Sequence, residues 1–177
     1  MYFILLALTD ARQCIPGCIL NFGIHGFGSC AVRDGVAYFL AGTWSQSELQ
    51  WLHISILEMF ITYMSLATYV HLFSEVSHVL EFTDNTGAEW TARKESPHAP
   101  LLQLIAERRA SLLKERVVFT RTERVTTDQN LWADWLSRGR IQQFLDDVAA
   151  QGLSACDLTP FIRERDSAWL IQAAGGP

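Results

Sequence analysis

Apolar runs in the first third of this chain are short and separated by turn residues, a pattern that predicts strands. Tyr2 to Leu8 is continuously apolar, as is typical of a central strand covered on both faces. Ser29 to Val32 and Val36 to Leu40 flank Arg33-Asp34-Gly35, and an Asp-Gly between two apolar runs is a strong hairpin signal. We therefore predict a three-stranded antiparallel meander.

The middle of the chain has helical spacing instead. Its recurring apolar positions are Leu49, Leu52, Ile56, Phe60 and Met64. They predict one long, largely buried helix that begins at a cap on Ser45 or Ser47 and ends near Phe73. The elements predicted after it are a strand at 79–83, a short helix at 87–94, a helix at 101–115, a strand at 116–125 and helices at 131–137 and 141–150. This order predicts an α/β fold, with a mixed five-stranded sheet flanked by helices.

Composition narrows the class of protein. The chain has 177 residues, of which 49% are hydrophobic and 19% charged, and this suits one domain with a full core. We predict that domain at residues 1–140, followed by a helical extension and tail at 141–177. The net charge of −5 argues against a wholly basic nucleic-acid-binding surface, but a nuclease with clustered acidic residues remains compatible. The opening apolar run lacks the basic start of a signal peptide, so we expect an intracellular protein, cytoplasmic or nuclear.

Four cysteines are too few for a disulfide framework in a chain of this size. The order Cys14, Cys18, His25, Cys30 is similar to that of zinc knuckles, but the first two gaps are longer than in a knuckle. Zinc requires four ligands that converge as a tetrahedron. We therefore expect reduced thiols in an apolar interior.

Four carboxylates lie where the predicted elements end or are buried. Asp10 follows the first strand, and Asp84 follows the strand at 79–83. Glu58 lies among apolar residues of the long helix, where a carboxylate is costly unless it is paired, hydrogen-bonded or bound to a metal. Asp134 lies in the run 130–138, Asn-Leu-Trp-Ala-Asp-Trp-Leu-Ser-Arg. Three of them have a plainer possible role: a turn for Asp10, a solvent-facing helix edge for Glu58 and a helix cap for Asp84.

The pattern Asn-x-x-Ala-Asp-x-Leu-Ser-Arg resembles the closing motif of ribonuclease H domains in retroelement reverse transcriptases, of the tyrosine-recombinase and gypsy classes. Three earlier segments resemble that family in the same order, over residues 2 to 140. They are Leu8-Thr9-Asp10-Ala11, Gly42-Thr43-Trp44-Ser45 with the later Ile56-Leu57-Glu58, and Phe82-Thr83-Asp84-Asn85-Thr86-Gly87-Ala88. The closing motif is specific, whereas Thr-Asp-Ala alone is weak.

The resemblance implies a ribonuclease H-like fold in which Asp10, Glu58, Asp84 and Asp134 are catalytic and bind two Mg²⁺ ions, for which Mn²⁺ can substitute. Magnesium prefers hard oxygen ligands such as carboxylates. The implied activity is hydrolysis of the RNA strand of RNA–DNA hybrids. The expected partners are the hybrid and a reverse-transcriptase polymerase domain in a longer polyprotein.

Two further residues are candidates for substrate binding. Asn85 follows Asp84. Arg124 lies where such domains often carry a histidine that helps product leave, and an arginine cannot shuttle protons at neutral pH. We expect slow turnover, with Arg124 contacting phosphate instead. Asn130 we expect to cap its own helix rather than to contact substrate.

Two other functions remain open. One is a non-catalytic relic of the fold that acts as a connector or nucleic-acid-binding module, although a pure scaffold has no reason to bury Glu58. The other is a different nuclease or a transposase of the same superfamily, against which the run at 130–138 argues.

Overall fold

The computed structural model describes residues 2–10, 26–83, 100–125 and 130–177, with backbone alone for 2–10 and for Thr83. The strands are β1 (Tyr2–Asp10), β2 (Gly26–Arg33), β3 (Val36–Thr43), β4 (His78–Thr83), β5 (Phe119–Arg124) and β6 (Ser154–Asp157). The helices are α1 (Gln46–Trp51), α2 (Ile54–Leu72), α3 (Pro100–Arg116), α4 (Leu131–Ser137), α5 (Ile141–Ala150) and α6 (Ala168–Ala173), with a 3₁₀ turn at Thr159–Phe161. Among the helices of these ranges, none is both long enough and apolar enough to cross a membrane.

The strands form one mixed sheet in the order β5-β4-β1-β2-β3-β6. The antiparallel meander β1-β2-β3 is confirmed, and β4 and β5 lie parallel beside β1. The prediction of five strands is wrong, because Ser154–Asp157 adds a sixth strand parallel to β3. This segment has four residues and no apolar alternation. Its strand conformation therefore depends on pairing with Val36–Phe39 rather than on a local signal.

The turn between β2 and β3 follows its sequence signal. Asp34 and Gly35 both have positive φ, at 50° and 77°, as the two central residues of a type I′ turn require. The turn fixes the register in which Arg33 pairs with Val36.

The predicted long helix is two helices. Ser45 caps α1 through a capping box, in which its hydroxyl accepts from the Glu48 N–H and the Glu48 carboxylate accepts from the Ser45 N–H. The chain then breaks at Leu52 and His53, both extended, and the His53 ring accepts from the Ser55 N–H to cap α2. Because apolar spacing continues through the break, the hydrophobic pattern alone does not reveal it.

Helices cover both faces of the sheet. On one face α2 packs against β1 and β2, with the Ser65 hydroxyl 2.7 Å from that of Ser29, and α3 packs against α2. On the other face α4 and α5 cover Cys30 of β2 through Leu136 and Phe144. Successive β2 residues point to opposite faces, so Ser29 and Cys30 lie under different helices.

The residues after 140 contain a strand as well as the predicted helices, and they pack on the same sheet. The ring of Phe144 in α5 lies 5.1 Å from that of Phe39 in β3, tilted at 59°, and α6 contacts α1. Arg165 donates to both carboxylate oxygens of Glu48 and lies over the rings of Phe27 and Trp44. The division of the chain near residue 140 stays a prediction.

Arg165→Met is expected to lower the free energy of unfolding by about 2 kcal/mol at pH 7. The Glu48 side chain is 1% exposed and would lose its charged partner, while the 34% exposure of Arg165 reduces the effect. Burial raises the pKa of Glu48, but the hydrogen bonds from Arg165 and Ser45 outweigh it and hold that pKa below its ordinary value.

A carboxylate with a depressed pKa stabilises the fold above its unfolded pKa, and that contribution is lost as the pH falls through the folded pKa. The difference in stability between wild type and Arg165→Met should therefore shrink below about pH 4.5. Urea unfolding from pH 3 to pH 8 measures this. A difference that stayed constant over the range would show that Arg165 acts through packing alone.

Candidate functional site

The carboxyl ends of three parallel strands lie side by side in the sheet. Leu6 of β1 pairs with Phe82 of β4, and Thr83 pairs with Arg124, the last residue of β5. Asp10 is the last residue of β1 and pairs with Gly26, the first residue of β2. Asp84 and Asn85 follow β4 in the sequence, but both lie outside the described residues, as does the Asp10 side chain.

Glu58 comes to this end of the sheet from the α2 face. It lies two helical turns before Ser65, which is about 10 Å along the helix axis. Along β2, Gly26 precedes Ser29 by a similar length. The ring contacts Phe27–Trp44 and Trp44–Phe60 show that the first half of α2 lies at the Phe27 end. Half-buried Glu58 therefore lies level with the Asp10–Gly26 pair, rather than deep in the core as its apolar neighbours suggested.

Two glycines of β2 let α4 approach the other face of the sheet. A Cβ on Gly28 would lie 2.6 Å from the Ser137 nitrogen and 2.8 Å from the Ala133 oxygen, and one on Gly26 would clash with the Ser137 oxygen. Real Cβ atoms do not approach backbone so closely, so any larger residue would displace α4. The sequence showed a glycine-rich segment here, but not what it makes room for.

The orientation of α4 follows from its contacts. Trp132 packs edge-on at 5.5 Å from Phe144, which lies beside Phe39 of β3. Asn130 and Asp134 are four residues apart and differ by only about 40° around the helix, so they share one flank. Trp132 is two residues from each of them and therefore lies on the opposite flank. Since β1 and β3 lie on opposite sides of β2, the flank with Asn130 and Asp134 faces β1, which α4 also contacts.

Asp134 is 9% exposed and carries a charged partner. Its Oδ1 accepts from both Nε and Nη2 of Arg138, at 2.8 Å each. The two residues are the Asp and Arg of the closing motif, and the spacing of four places them on one helix face. Arg138 has no role in the sequence-based predictions, although the i,i+4 spacing of opposite charges indicates a pair with Asp134.

Asn130 occupies the N-cap position of α4 but does not cap it. It is fully buried, its side chain accepts no bond from the helix, and both Oδ1 and Nδ2 lack a hydrogen-bond partner. The prediction that it caps the helix is wrong. Its backbone, at φ −103° and ψ 30°, is outside the extended region in which N-cap side chains fold back.

Arg124 is exposed at the end of β5, beside the residue that precedes Asp84. Three positions earlier, Arg121 pairs with Glu123 at 2.7 Å. Arg124 thus presents a positive charge at the same end of the sheet as the acids. Its contact with phosphate stays a prediction.

The possible zinc ligands fall mostly outside the described residues, which leave out Cys14, Cys18 and His25. Cys30 is fully buried in the sheet, and burial raises the pKa of its thiol. Cys30 and Cys156 are free thiols. Within the described ranges no three His, Cys, Asp or Glu residues are grouped so that they could hold a metal ion.

The donor chemistry of the strand ends nevertheless fits magnesium. Glu58 of α2 and Asp134 of α4 lie on opposite faces of the sheet, and Asp10 ends β1. Carboxylate oxygens are the hard ligands that Mg²⁺ prefers. That these acids and Asp84 are metal ligands stays a prediction.

No protein-family model and no curated protein matches this sequence. Solved structures do match the fold. The N-terminal RNase H domain of Rv2228c from Mycobacterium tuberculosis, a fusion with maltose binding protein, has a TM-score of 0.55 at 13% identity, over 85% of this chain and 97% of its own.

RNase H1 from the archaeon Halobacterium salinarum NRC-1 has a TM-score of 0.52 at 13% identity, over 82% of this chain and 97% of its own. LC11-RNase H1, solved in complex with an RNA/DNA hybrid, has a TM-score of 0.57 at 12% identity, over 79% and 99%. The chain therefore has a ribonuclease H-like α/β fold.

Proposed function

We propose that this protein is a Mg²⁺-dependent ribonuclease H that hydrolyses the RNA strand of RNA–DNA hybrids. The observation that carries the proposal is the close packing of α4 on Gly26 and Gly28. This packing turns the flank with Asp134 toward β1, and Glu58 of α2 lies on the other face of the sheet. The ribonuclease H-like fold supports the reaction class. One structural neighbour was solved with an RNA/DNA hybrid, which supports the substrate.

In this proposal Asp10 and Asp84 hold the metal ions from adjacent strand ends, Glu58 holds one ion from α2, and Asp134 holds the other from α4. When bound, two such ions activate a water on one side of a phosphodiester and stabilise the leaving 3′ oxygen on the other. Arg138 offsets part of the negative charge by pairing with Asp134. Asn85 and Arg124 contact the substrate beside β4 and β5.

Hybrid recognition comes mainly from phosphates and 2′-hydroxyls rather than from base sequence. Cleavage should therefore depend little on the base sequence of the hybrid. We propose further that the domain belongs to a retroelement reverse transcriptase, where a polymerase domain supplies the hybrid. An intracellular location, cytoplasmic or nuclear, follows from that substrate, and imaging of a tagged chain tests it.

The test is cleavage of an end-labelled RNA–DNA hybrid by wild type and by Asp84→Asn, with Mg²⁺, with Mn²⁺ and with EDTA. Double-stranded DNA and single-stranded RNA of the same sequence serve as substrate controls. We expect the RNA strand of the hybrid alone to be cut, only with metal, and not by Asp84→Asn. Hybrid binding without cleavage under all conditions would favour the non-catalytic relic, and cutting of duplex DNA would favour another nuclease.

Arg124→His is expected to raise the steady-state turnover rate by roughly tenfold, because histidine can exchange protons near neutral pH where arginine cannot. The rate of a single turnover should change much less, since product release and not bond cleavage is the slow step in this proposal. Arg121→His, three positions earlier on the same strand and 80% exposed, is the matched control. Equal turnover by wild type and Arg124→His would remove the basis for this role.

A further inference from the structure

The carboxamide of Asn130 is the most anomalous polar group in the described part of the chain. It is wholly buried, and neither Oδ1 nor Nδ2 has a hydrogen-bond partner. An amide can donate two hydrogen bonds and accept two. A buried amide that makes none loses its hydration without compensation, and native proteins seldom retain such a group without a reason.

A purely structural role does not account for this side chain. Its position before α4 would suit a helix cap, but the cap hydrogen bond is absent. Three other polar groups of the same region are satisfied locally: the Ser137 hydroxyl donates to the Asp134 carbonyl, the Trp132 ring donates to Asp147, and Arg138 donates to Asp134. The unmet hydrogen-bonding capacity of α4 is therefore concentrated on Asn130.

The placement of Asn130 points to the candidate metal site. It lies one helical turn before Asp134 on the same flank of α4, the flank that faces β1. The Ala133, Leu136 and Ser137 positions, which lie against Gly26 and Gly28, fix that orientation. A polar partner for the amide would therefore come from the side of β1, the strand that ends at Asp10.

We infer that Asn130 is a positioning residue of this site, whose amide is satisfied when a divalent cation and its water are bound. Nδ2 then donates to a carboxylate oxygen of the site, and Oδ1 accepts from water held there. This inference rests on the proposed function, because it requires a metal at the strand ends. It adds a neutral group that orients the acids without adding to their mutual repulsion.

Thermal unfolding in EDTA and in saturating Mn²⁺ tests the inference without any assay of activity. Asn130→Leu removes an unsatisfied amide at similar volume, so it should unfold in EDTA at a temperature at least as high as wild type. Its stabilisation by Mn²⁺ should fall to roughly half of the wild-type shift or less. Thr68→Val is the matched control, because Thr68 is equally buried but hydrogen-bonded to Met64 and Arg163, far along α2. It should unfold earlier in EDTA and keep the full Mn²⁺ shift.

Asn130→Asp separates the inference from the capping role. Aspartate is a good N-cap residue, so a capping role predicts an unchanged or higher unfolding temperature in EDTA. A site role predicts a lower temperature in EDTA, because the buried charge is unpaired, and a larger Mn²⁺ shift than in wild type.

A full Mn²⁺ shift in Asn130→Leu would overturn the inference while leaving the metal site intact. The same result is expected if a buried water satisfies the amide regardless of metal. Absence of any Mn²⁺ shift in wild type would overturn the metal site itself and the inference with it. The wild-type measurement thus tells the two failures apart.

Discussion

Asp134→Asn is expected to lower kcat for cleavage of an RNA–DNA hybrid by about 10³-fold or more. Asparagine keeps the shape of the side chain but loses the negative charge that a hard cation needs. Asp134 is nearly buried. It is also the only acidic residue of α4, so no other carboxylate of that helix can take its place. Hybrid affinity in the absence of divalent metal should stay the same or rise slightly, because the substitution removes a carboxylate that repels phosphates.

The control for this substitution must reproduce its side effect, the loss of the ion pair with Arg138. Arg138→Gln breaks the same pair, at 2.8 Å, and leaves the carboxylate in place. We expect it to lower kcat by less than about tenfold. Single-turnover cleavage at saturating enzyme measures both variants. Equal losses would mean that Asp134 acts through the ion pair and not as a metal ligand.

Arg109→Met is expected to lower the free energy of unfolding by about 3–5 kcal/mol. Arg109 of α3 and Glu81 of β4 are 4% and 2% exposed, and Nη2 lies 2.7 Å from the carboxylate. The same carboxylate oxygen accepts from the Thr122 hydroxyl, and Nη2 also donates to the Thr120 hydroxyl of β5. Methionine would fill most of the arginine volume but leave Glu81 as a buried, unpaired charge.

The neighbouring residue provides a matched control. Arg108 is 45% exposed and pairs with Glu164 at 3.6 Å. Although it also lies 4.1 Å over the Trp169 ring, Arg108→Met should cost no more than about 1 kcal/mol. Urea unfolding of both single variants measures the difference, and similar losses would refute the role of burial.

A double variant separates the pair from the positions. Glu81→Leu with Arg109→Met removes both charges, so it should recover much of the stability that Arg109→Met loses. No recovery would show that α3 and β4 are held together by packing and by the threonines. In the proposed function the pair matters because it holds β4 in place, and Glu81 lies three residues before Asp84, a proposed metal ligand.

The sequence by itself determined the features that depend on neighbours along the chain. The sequence predicted the Asp34-Gly35 turn, a helix cap at Ser45 or Ser47 and the bounds of α4 and α5, because φ preferences, caps and helical spacing are local. The strand order of the meander followed from the same turn. The positions of Glu58 and Asp134 on helices were predictable as well, since apolar spacing identifies a helix regardless of what it packs against.

Only the tertiary structure decided how those elements meet. The strand at 154–157 exists because β3 offers an unpaired edge, and the seating of α4 depends on the absence of side chains at Gly26 and Gly28. The pairing of Arg109 with Glu81 joins residues 28 apart, and the orphaned amide of Asn130 is visible only once burial is known. Hydrogen-bond satisfaction and close packing are properties of the space around a residue, which a one-dimensional pattern does not contain.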